Sequence, residues 1–260
     1  MAEYTDRLKT TSLSILLYLA VWKVLSLFIG REIILPSPEI VLVQIALLFS
    51  SGSVLHHILP TILRGLTGFF FSMILGIICG LAAGRSDRTR WFLNPLIISI
   101  RSIPVLSLIL LAVIWFQTDL VPVFICFLVV FPLITGSVIT GVKQVDPDLL
   151  EMARIYRKSR KEILKSIYFP SILPYISSGI SSGLGLTWKS VVAAEVLAMP
   201  AHGMGTSMQT AQMQLDTAIL FSWTVLVVLL SASFDLLILL GEKKLIGDYR
   251  GRRKGSTGRD

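Results

Sequence analysis

Long apolar stretches separated by short polar segments dominate this chain of 260 residues. A helix needs about 20 mostly apolar residues to cross the roughly 30 Å hydrocarbon core of a bilayer, so runs of this length predict transmembrane helices. Six such runs lie at approximately 11–30, 58–84, 92–117, 120–142, 171–199 and 217–241. The second and fifth are longer than a bilayer requires, which predicts tilt or overhang. The pattern therefore predicts an all-α, polytopic membrane protein with about six transmembrane helices.

The spans and their connections are interpreted as one transmembrane domain over residues 1–260. Its parts, in order, are the first span (1–34), an external amphipathic helix (35–57), spans two to four (58–142), a polar loop (143–170), spans five and six (171–241) and a basic tail (242–260). The external helix is predicted from Ser37 as N-cap, Pro38 in the first turn and apolar residues at helical spacing. These apolar residues are Ile40, Val43, Leu47 and Leu48.

Composition and charge support a membrane location. Hydrophobic residues make up 53% of the chain, charged residues 15%, and the mean hydropathy is +0.76, whereas soluble domains contain about 25% charged residues. With a cytoplasmic N-terminus, the segments facing the cytoplasm hold 19 of the 24 Lys and Arg residues, and the external segments hold only Arg31. This positive-inside distribution predicts that both termini are cytoplasmic. The net charge of +8 is therefore assigned to orientation in the membrane rather than to nucleic-acid binding.

The polar loop at 143–170 carries start signals for two short helices. Asp146-Pro147-Asp148 supplies an N-cap, a first-turn proline and an acidic residue, and predicts a helix over about 147–156. Ser159 and Glu162 match a capping box, which predicts a second helix to about 168. Pro170 and Pro174 are expected to mark the start of span five. A solvated charged loop is the alternative, but two capping signals in register favour helices.

Two motifs in this loop resemble the EAA loop of ABC importer permeases. They are Glu151-Met152-Ala153 and, sixteen residues after Glu151, Ile167-x-Phe169-Pro170. Met152 stands where the family has alanine, and Arg157 where it usually has glycine. A non-glycine residue in a left-handed turn costs on the order of 1 kcal/mol, so a differently shaped turn is expected at Arg157.

Further motifs are similar to the nitrate/sulfonate/taurine branch of these permeases, and with the loop they cover most of 35–245. They are Leu35-Pro36-Ser37-Pro38, Arg101-x-Ile103-Pro104, Trp115-Phe116, Ala194-Glu195 and Gly203-Met204-Gly205.

The resemblance implies a Type I ABC importer permease fold with cytoplasmic coupling helices. Two permease subunits, most simply a homodimer although heterodimers occur, would form the path for a small anionic or heteroaromatic nutrient. Two cytoplasmic ATPases would use ATP and Mg, because this chain lacks a phosphate-binding G-x-x-x-x-G-K-[ST] loop. A solute-binding protein would deliver substrate near 200–215 and 36–57.

The resemblance also assigns roles in ATPase coupling. Glu151 would be the polar anchor in the ATPase groove, Ala153 would permit close approach, and Arg154 and Lys158 would be charges at the rim. The remaining residues matching the motif are Met152, Arg157, Ile167 and Pro170.

Charged residues inside spans are costly and are functional candidates by default. Arg64 is expected to extend its charge to the outer surface. Arg101 is expected either to attract an anion or to pair with Asp235. Lys189 and Glu195 are six residues apart, which is not a same-face spacing, so each should find a partner on another helix. The candidate substrate path comprises Arg101, Trp115, Trp188, Lys189 and Glu195, with structural packing as the alternative for each.

Other function classes fit the sequence less well. A membrane-embedded enzyme needs clustered catalytic side chains at membrane depth, whereas His56, His57 and His202 are all predicted to lie outside. A channel or secondary transporter would have no use for the loop at 143–170.

Cys79 and Cys126 fall within spans and are interpreted as core residues. No catalytic residue, metal or bound cofactor is predicted, and the glycines at 76, 80 and 84 predict close packing within the chain or in a dimer.

Overall fold

A computed structural model describes the backbone of residues 2–256, with side chains over 10–240 apart from residues 11 and 239. Within that part the chain forms eleven α-helices. They are α1 (Ala2–Ile29), α2 (Pro38–Ser50), α3 (Val54–Arg85), α4 (Asp87–Ser102), α5 (Val105–Trp115), α6 (Val121–Lys143), α7 (Pro147–Ile155), α8 (Arg160–Ile163), α9 (Phe169–Ala198), α10 (Met204–Met213) and α11 (Thr217–Ser256). A π-helical turn, Leu164–Tyr168, joins α8 to α9. The predicted all-α architecture is confirmed.

Four helices in the described part are long and apolar enough to cross a membrane: α1, α3, α6 and the Thr217–Ile238 part of α11. The predicted third span at 92–117 is not continuous, because α4 and α5 meet at an angle of 99°. Proline disfavours helical geometry in the residue before it, and Ile103, which precedes Pro104, is extended with ψ of 130°. The bent pair counts as a fifth span at most.

The predicted fifth span corresponds to α9, whose 30 residues would extend about 45 Å. Its serines, its glycines and the charges of Lys189 and Glu195 make it less apolar than the four spans above. It packs instead at the centre of the structure, against α3, α6, α10 and α11. A helix with one polar, small-residue face suits a position inside a bundle better than one exposed to lipid.

A row of glycines brings α3 and α6 into close contact. Gly76, Gly80 and Gly84 face Ile134, Val138 and Val142, so that a Cβ atom built on Gly80 would lie 2.6 Å from the Cβ of Val138. The small-residue repeat therefore packs within the chain. Cys126 also lies in this core, while Cys79 is only partly buried.

The outer helix α2 forms as predicted, with Ser37 at the N-cap position and Pro38 in the first turn, although the Ser37 side chain makes no capping hydrogen bond. Val41 is buried and packs toward α11, where the Ser222 hydroxyl donates to the Val41 carbonyl at 3.3 Å. Val43 and Leu47, two of the apolar residues predicted at helical spacing, are exposed.

The end of the basic tail, residues 249–260, is expected from its sequence to be disordered, but α11 continues as helix to Ser256. The remaining predicted tail residues, 257–260, lie outside the described part of the chain. The added turns extend α11 beyond its apolar part, which ends at Ile238.

Candidate coupling surface, path residues and outer polar cluster

Both predicted caps of the polar loop form. The Asp146 carboxylate accepts a hydrogen bond from the Asp148 amide at 2.9 Å, and α7 begins at Pro147. The Ser159 hydroxyl accepts from the Glu162 amide at 3.3 Å, while the Glu162 carboxylate accepts from the Ser159 amide at 2.8 Å. This is the reciprocal capping box predicted from the sequence. The two bonds fix the direction in which the chain enters α8.

Arg157 occupies the left-handed conformation that glycine would adopt without strain, with φ of 50°. The Lys158 amide donates to the Ala153 carbonyl at 3.0 Å and the Arg157 amide to the Arg154 carbonyl at 2.9 Å. These two bonds form the Schellman arrangement that ends many helices. The prediction of a differently shaped turn was wrong: Arg157 accepts a left-handed backbone at a cost of on the order of 1 kcal/mol.

The two faces of α7 have different environments. Leu150 packs against the main hydrophobic core and Ala153 is only 5% exposed. The opposite face carries Glu151, Met152 and Ile155, and the last of these is 74% exposed. Close approach of a partner to Ala153, as the family pattern suggested, is not available here because that side chain is buried within its own chain. The exposed face combines one carboxylate with apolar side chains.

The other coupling candidates divide between a basic rim and the core. Arg154, Arg157 and Lys158 are exposed. Ile167 packs against the core cluster that contains Val142 and Val145, and Pro170 stands in the first turn of α9.

Pro170 stands in the first turn of α9, as expected, and Pro174 lies inside that helix. Helical structure nevertheless continues from Arg160 through the π-helical turn into α9. Pro170 follows directly after this turn, where the hydrogen-bond register changes, and does not interrupt the run.

The path candidates do not form one site. Arg101 is exposed and lines a cavity of about 170 Å³ between the α4–α5 bend and α6, together with Leu108 and Leu128. Trp115, 61% exposed, and Lys189 are also exposed. Trp188 is fully buried, with its ring 4.5 Å from that of Phe234, so it packs in the core and lines no open path.

Asp235 does not pair with Arg101, the second possibility raised by the sequence. Its carboxylate lies beside α9, with Oδ1 3.9 Å from where a Cβ of Gly185 would be. No ion pair found between described side chains involves Arg101, Lys189 or Asp235. All three are exposed on helices that the sequence places in the membrane.

Arg64 and Glu195 form an ion pair at the outer end of the bundle. The Arg64 Nη1 atom donates to Glu195 Oε1 at 2.6 Å and to the His202 carbonyl at 2.7 Å. Nη2 donates to Asp119 in the turn between α5 and α6. Arg64 was predicted to extend its charge to the outer surface, but its side chain is only 10% exposed. Glu195 has a partner on another helix, as predicted, and is fully buried, so it lines no open path.

The same carboxylate is held by neutral donors. The Thr61 hydroxyl lies 3.0 and 2.9 Å from its two oxygens, and the Gly205 amide donates at 3.0 Å. A Cβ on Gly203 would lie 2.7 Å from Glu195 Oε2, so glycine is required for this approach. We refer to Thr61, Arg64, Asp119, Glu195 and the loop 199–205 as the outer cluster.

The three histidines converge beside the outer cluster. The His57 and His202 rings are 5.7 Å apart and those of His56 and His202 are 6.5 Å apart. His57 Nδ1 accepts from the Gly203 amide at 3.3 Å. Within the described residues, no group of three or more His, Cys, Asp or Glu side chains could hold a metal ion. Their proximity could not be read from the sequence, where His57 and His202 are 145 positions apart.

The polar loop at 143–170, the glycine-packed bundle and the order of motifs agree with one family. Residues 72–247 match the family described as the binding-protein-dependent transport system inner membrane component. The chain belongs to this family. It is a permease subunit of an ATP-driven importer and not an enzyme. The family implies an ATPase and a solute-binding protein as partners, and a location in the inner membrane.

Known permeases resemble the chain over most of its length. It is 28% identical over 231 residues to a putative aliphatic sulfonates transport permease protein of Bacillus subtilis, covering 88% of this chain and 83% of that one. It is also 28% identical over 221 residues to a taurine transport system permease protein of Escherichia coli, covering 83% and 80%. These relatives assign the permease to the sulfonate, taurine and nitrate branch.

A solved structure shares the fold. The permease superimposes on a chain of the MetNI methionine ABC transporter, determined in inward facing conformations, with a TM-score of 0.60. The match covers 75% of this permease and 95% of that chain at 15% sequence identity. The fold of an ABC transporter permease is thus shared.

Proposed function

We propose that this permease imports a small sulfonate or related oxyanion and that α7 transmits the motion of an ATPase to the membrane helices. The observation that carries the coupling role is the division of α7 into two faces. One face, with Leu150 and Ala153, is packed on the bundle, and the other presents Glu151, Met152 and Ile155 to solvent. An exposed helix face with apolar anchors and one charge is suited to a groove on a partner.

The coupling role is tested by purifying the tagged permease from its own cells in mild detergent. We expect an ABC ATPase to co-purify with the wild-type permease and to be lost from Glu151→Arg, because the substitution reverses the charge at the centre of the exposed face. Asp148→Asn, in the first turn of α7, is the matched control and should retain the ATPase. Recovery of the permease alone in several mild detergents, with no effect of Glu151→Arg, would contradict the proposal.

A homodimer is proposed from the exposed charges. Lys189 and Asp235 lie on helices of the bundle but have no ion-pair partner among the described side chains. Charges at membrane depth are costly toward lipid and usually face another helix or water. A second copy facing α9 and α11 would enclose them around a path. Native mass spectrometry of the ATPase complex should show two copies of this permease; one copy with a different permease would contradict the homodimer.

The substrate class is proposed from charge and from the relatives. Arg101 and Lys189 provide two exposed cations in the bundle against the one exposed carboxylate of Asp235, and both of the relatives described above are named for substrates that carry a sulfonate group. We expect Lys189→Met to lower sulfonate transport more than Lys189→Arg, with ATPase binding unchanged. Uptake of radiolabelled taurine and alkanesulfonates measures this; equal uptake by the two variants would contradict it.

The remaining assignments follow from the same arrangement. The partner ATPase binds ATP and Mg, and both permease termini lie in the cytoplasm, on the side of α7. The solute-binding protein delivers substrate to the face that contains α2 and α10. Cysteine labelling of intact cells tests the orientation: Ser51→Cys should react with an impermeant reagent and Ser166→Cys should not.

A further inference from the structure

The outer cluster joins three separate parts of the chain through one guanidinium group. Arg64 belongs to α3, Asp119 to the turn between α5 and α6, and Glu195 with the His202 carbonyl to the end of α9 and its following loop. Substrate arriving from outside has to pass near the outer ends of these helices if the proposed function is correct. The bonds from Arg64 to Glu195 and to the His202 carbonyl join α3 to the end of α9, so they oppose opening of the outer face.

The loop 199–205 is held mainly by α3. Its backbone donates from Gly203 to His57, from Met204 to Thr61 at 2.9 Å and from Gly205 to Glu195. Its first residue, Met199, is left-handed with φ of 47°, and its amide bonds to the Glu195 carbonyl, so this end of the loop belongs to the end of α9. The contacts with α3 hold the other end, at Gly203 and Met204, and loss of those contacts would free it.

Arg64 has two carboxylate partners with different surroundings. Glu195 is fully buried, whereas the Asp119 side chain is 63% exposed. If the loop 199–205 moves away, Arg64 loses Glu195 and the His202 carbonyl but can keep Asp119. By keeping Asp119 as a partner, Arg64 avoids the large cost of leaving a desolvated charge unpaired.

We propose that the Arg64–Glu195 pair is a positioning pair that holds the outer face closed, and that Arg64 stays with Asp119 when the face opens. This inference rests on the proposed function, since only an importer has to open its outer face to a binding protein. It assigns opposite effects to the two acids. Glu195 stabilises the closed state. Asp119 favours the open state, because Arg64 keeps no other carboxylate partner there, whereas in the closed state it also has Glu195.

The first test compares Glu195→Gln with Asp119→Asn in the complex of permease, ATPase and solute-binding protein reconstituted in liposomes. Glutamine keeps an acceptor for Thr61 and Gly205 but removes the ion pair. We expect Glu195→Gln to increase ATP hydrolysis measured without binding protein, because the closed state is weakened. Asp119→Asn should decrease transport stimulated by the binding protein and leave hydrolysis without it unchanged or lower.

A purely structural role would give a different result. Both variants would then lower transport and the yield of folded complex, and neither would raise hydrolysis without binding protein. That outcome would overturn the proposal. Failure of the wild-type complex to transport any sulfonate would instead contradict the proposed substrate, and absence of a bound ATPase would contradict the coupling role, so the failures can be told apart.

A second test does not depend on the stability of acid variants. Cys79 and Cys126 are replaced by alanine, and cysteines are placed at His57 and His202, whose rings are 5.7 Å apart. A short bifunctional methanethiosulfonate should then abolish transport, and reduction should restore it, because the link prevents the loop from leaving α3. The single-cysteine variants treated with the same reagent are the controls. Full transport by the linked protein would show that this contact never opens and would overturn the proposal.

Discussion

Arg157, Met199 and Leu215 have positive φ angles although none is glycine. Each lies at the C-terminal end of a helix. Arg157 follows the C-cap of α7, Met199 is the C-cap of α9, and Leu215 follows the C-cap of α10. At Arg157 and Leu215 the amides bond back to the helix in the same Schellman pattern. A residue in the left-handed conformation ends a helix in a tight turn. The local strain at these three sites is therefore the cost of a short turn at each helix end.

Replacing Arg157 by glycine should stabilise the permease. Glycine adopts φ of about +50° without the clash of a Cβ atom, so we expect a gain of roughly 1 kcal/mol, less the larger chain entropy of unfolded glycine. The expected result is a higher midpoint of thermal unfolding in detergent. Tyr156→Gly is the control: Tyr156 has φ of −77°, and glycine there should lower the midpoint. A lower midpoint for Arg157→Gly would mean that its side chain makes a contact worth more than the strain.

The capping box gives the second loop helix a pH dependence. The Ser159 amide, the Ser159 hydroxyl and Lys158 hold the pKa of Glu162 below its ordinary value. Because the pKa is lower in the folded loop, this stabilisation is fully present above the ordinary pKa of about 4.3 and disappears as pH falls through the folded value. Protection factors for the Glu162 and Ile163 amides should decrease with acid over that range. Glu162→Gln should flatten the decrease, and an unchanged profile would contradict the assignment.

Among the elements, α3 and α6 make the most extensive contact, and the glycines at 76, 80 and 84 of α3 face isoleucine and valine of α6 at a regular spacing of four residues. Packing of this kind gains from many short van der Waals contacts and tolerates little added volume. It gives the bundle a rigid central pair, to which α9 is added on one side.

Alanine at Gly80 should disrupt this pair. A Cβ there would lie 2.6 Å from Val138 Cβ, so the helices must separate, at a cost of roughly 1–3 kcal/mol. Gly136→Ala is the matched control on α6, because nothing lies within 4 Å of its added Cβ, and it should be neutral or stabilising. Thermal unfolding of both variants in the same detergent measures the difference. Equal midpoints would show that α3 and α6 accommodate the added methyl group without separating.

Patterns between residues close in the sequence predicted the helices and their caps well. Contacts between helices far apart in the sequence were predicted poorly. The caps at Asp146 and Ser159 were predictable because donor and acceptor are two or three residues apart. The contact of Val41 with α11 was not predicted, since the sequence does not specify how a short apolar helix is rotated against its neighbour. The Arg64–Glu195 pair joins residues 131 positions apart, and only the packing of α3 against α9 brings them together. The 99° bend was signalled by Pro104, but its size was not.

At the scale of the whole molecule, the polar loop at 143–170 is attached to the bundle by apolar contacts, and no salt bridge between described side chains joins the two. Leu150, Ile167 and Tyr168 pack against the cluster that contains Val142 and Val145, and Arg85 lies over the Tyr168 ring at 5.8 Å. The face that would meet an ATPase and the face that holds the bundle are therefore separate. Docking and transmission of movement should be separable by mutation.

Ile167→Ala should retain the ATPase but transport less substrate for each ATP hydrolysed, because it weakens the contact between loop and bundle. Met152→Ala, on the exposed face of α7, should instead weaken co-purification of the ATPase. Uptake and phosphate release measured together in reconstituted liposomes give the ratio. If Ile167→Ala lost the ATPase and Met152→Ala kept it, the two faces would have been assigned in reverse.

Helical structure runs without interruption from Arg160 to Ala198. One helix therefore connects the polar loop with the outer cluster. At 1.5 Å per residue it is about 58 Å long, with the capping box near one end and Glu195 near the other. A tilt of this helix at its α8 end would reach Glu195, and so its contact with Arg64, through the π-helical turn that lies between them. Its mechanically weak point is the π-helical turn, where the hydrogen-bond register changes, so flexion there would determine how much of a cytoplasmic stroke is delivered to the outer face.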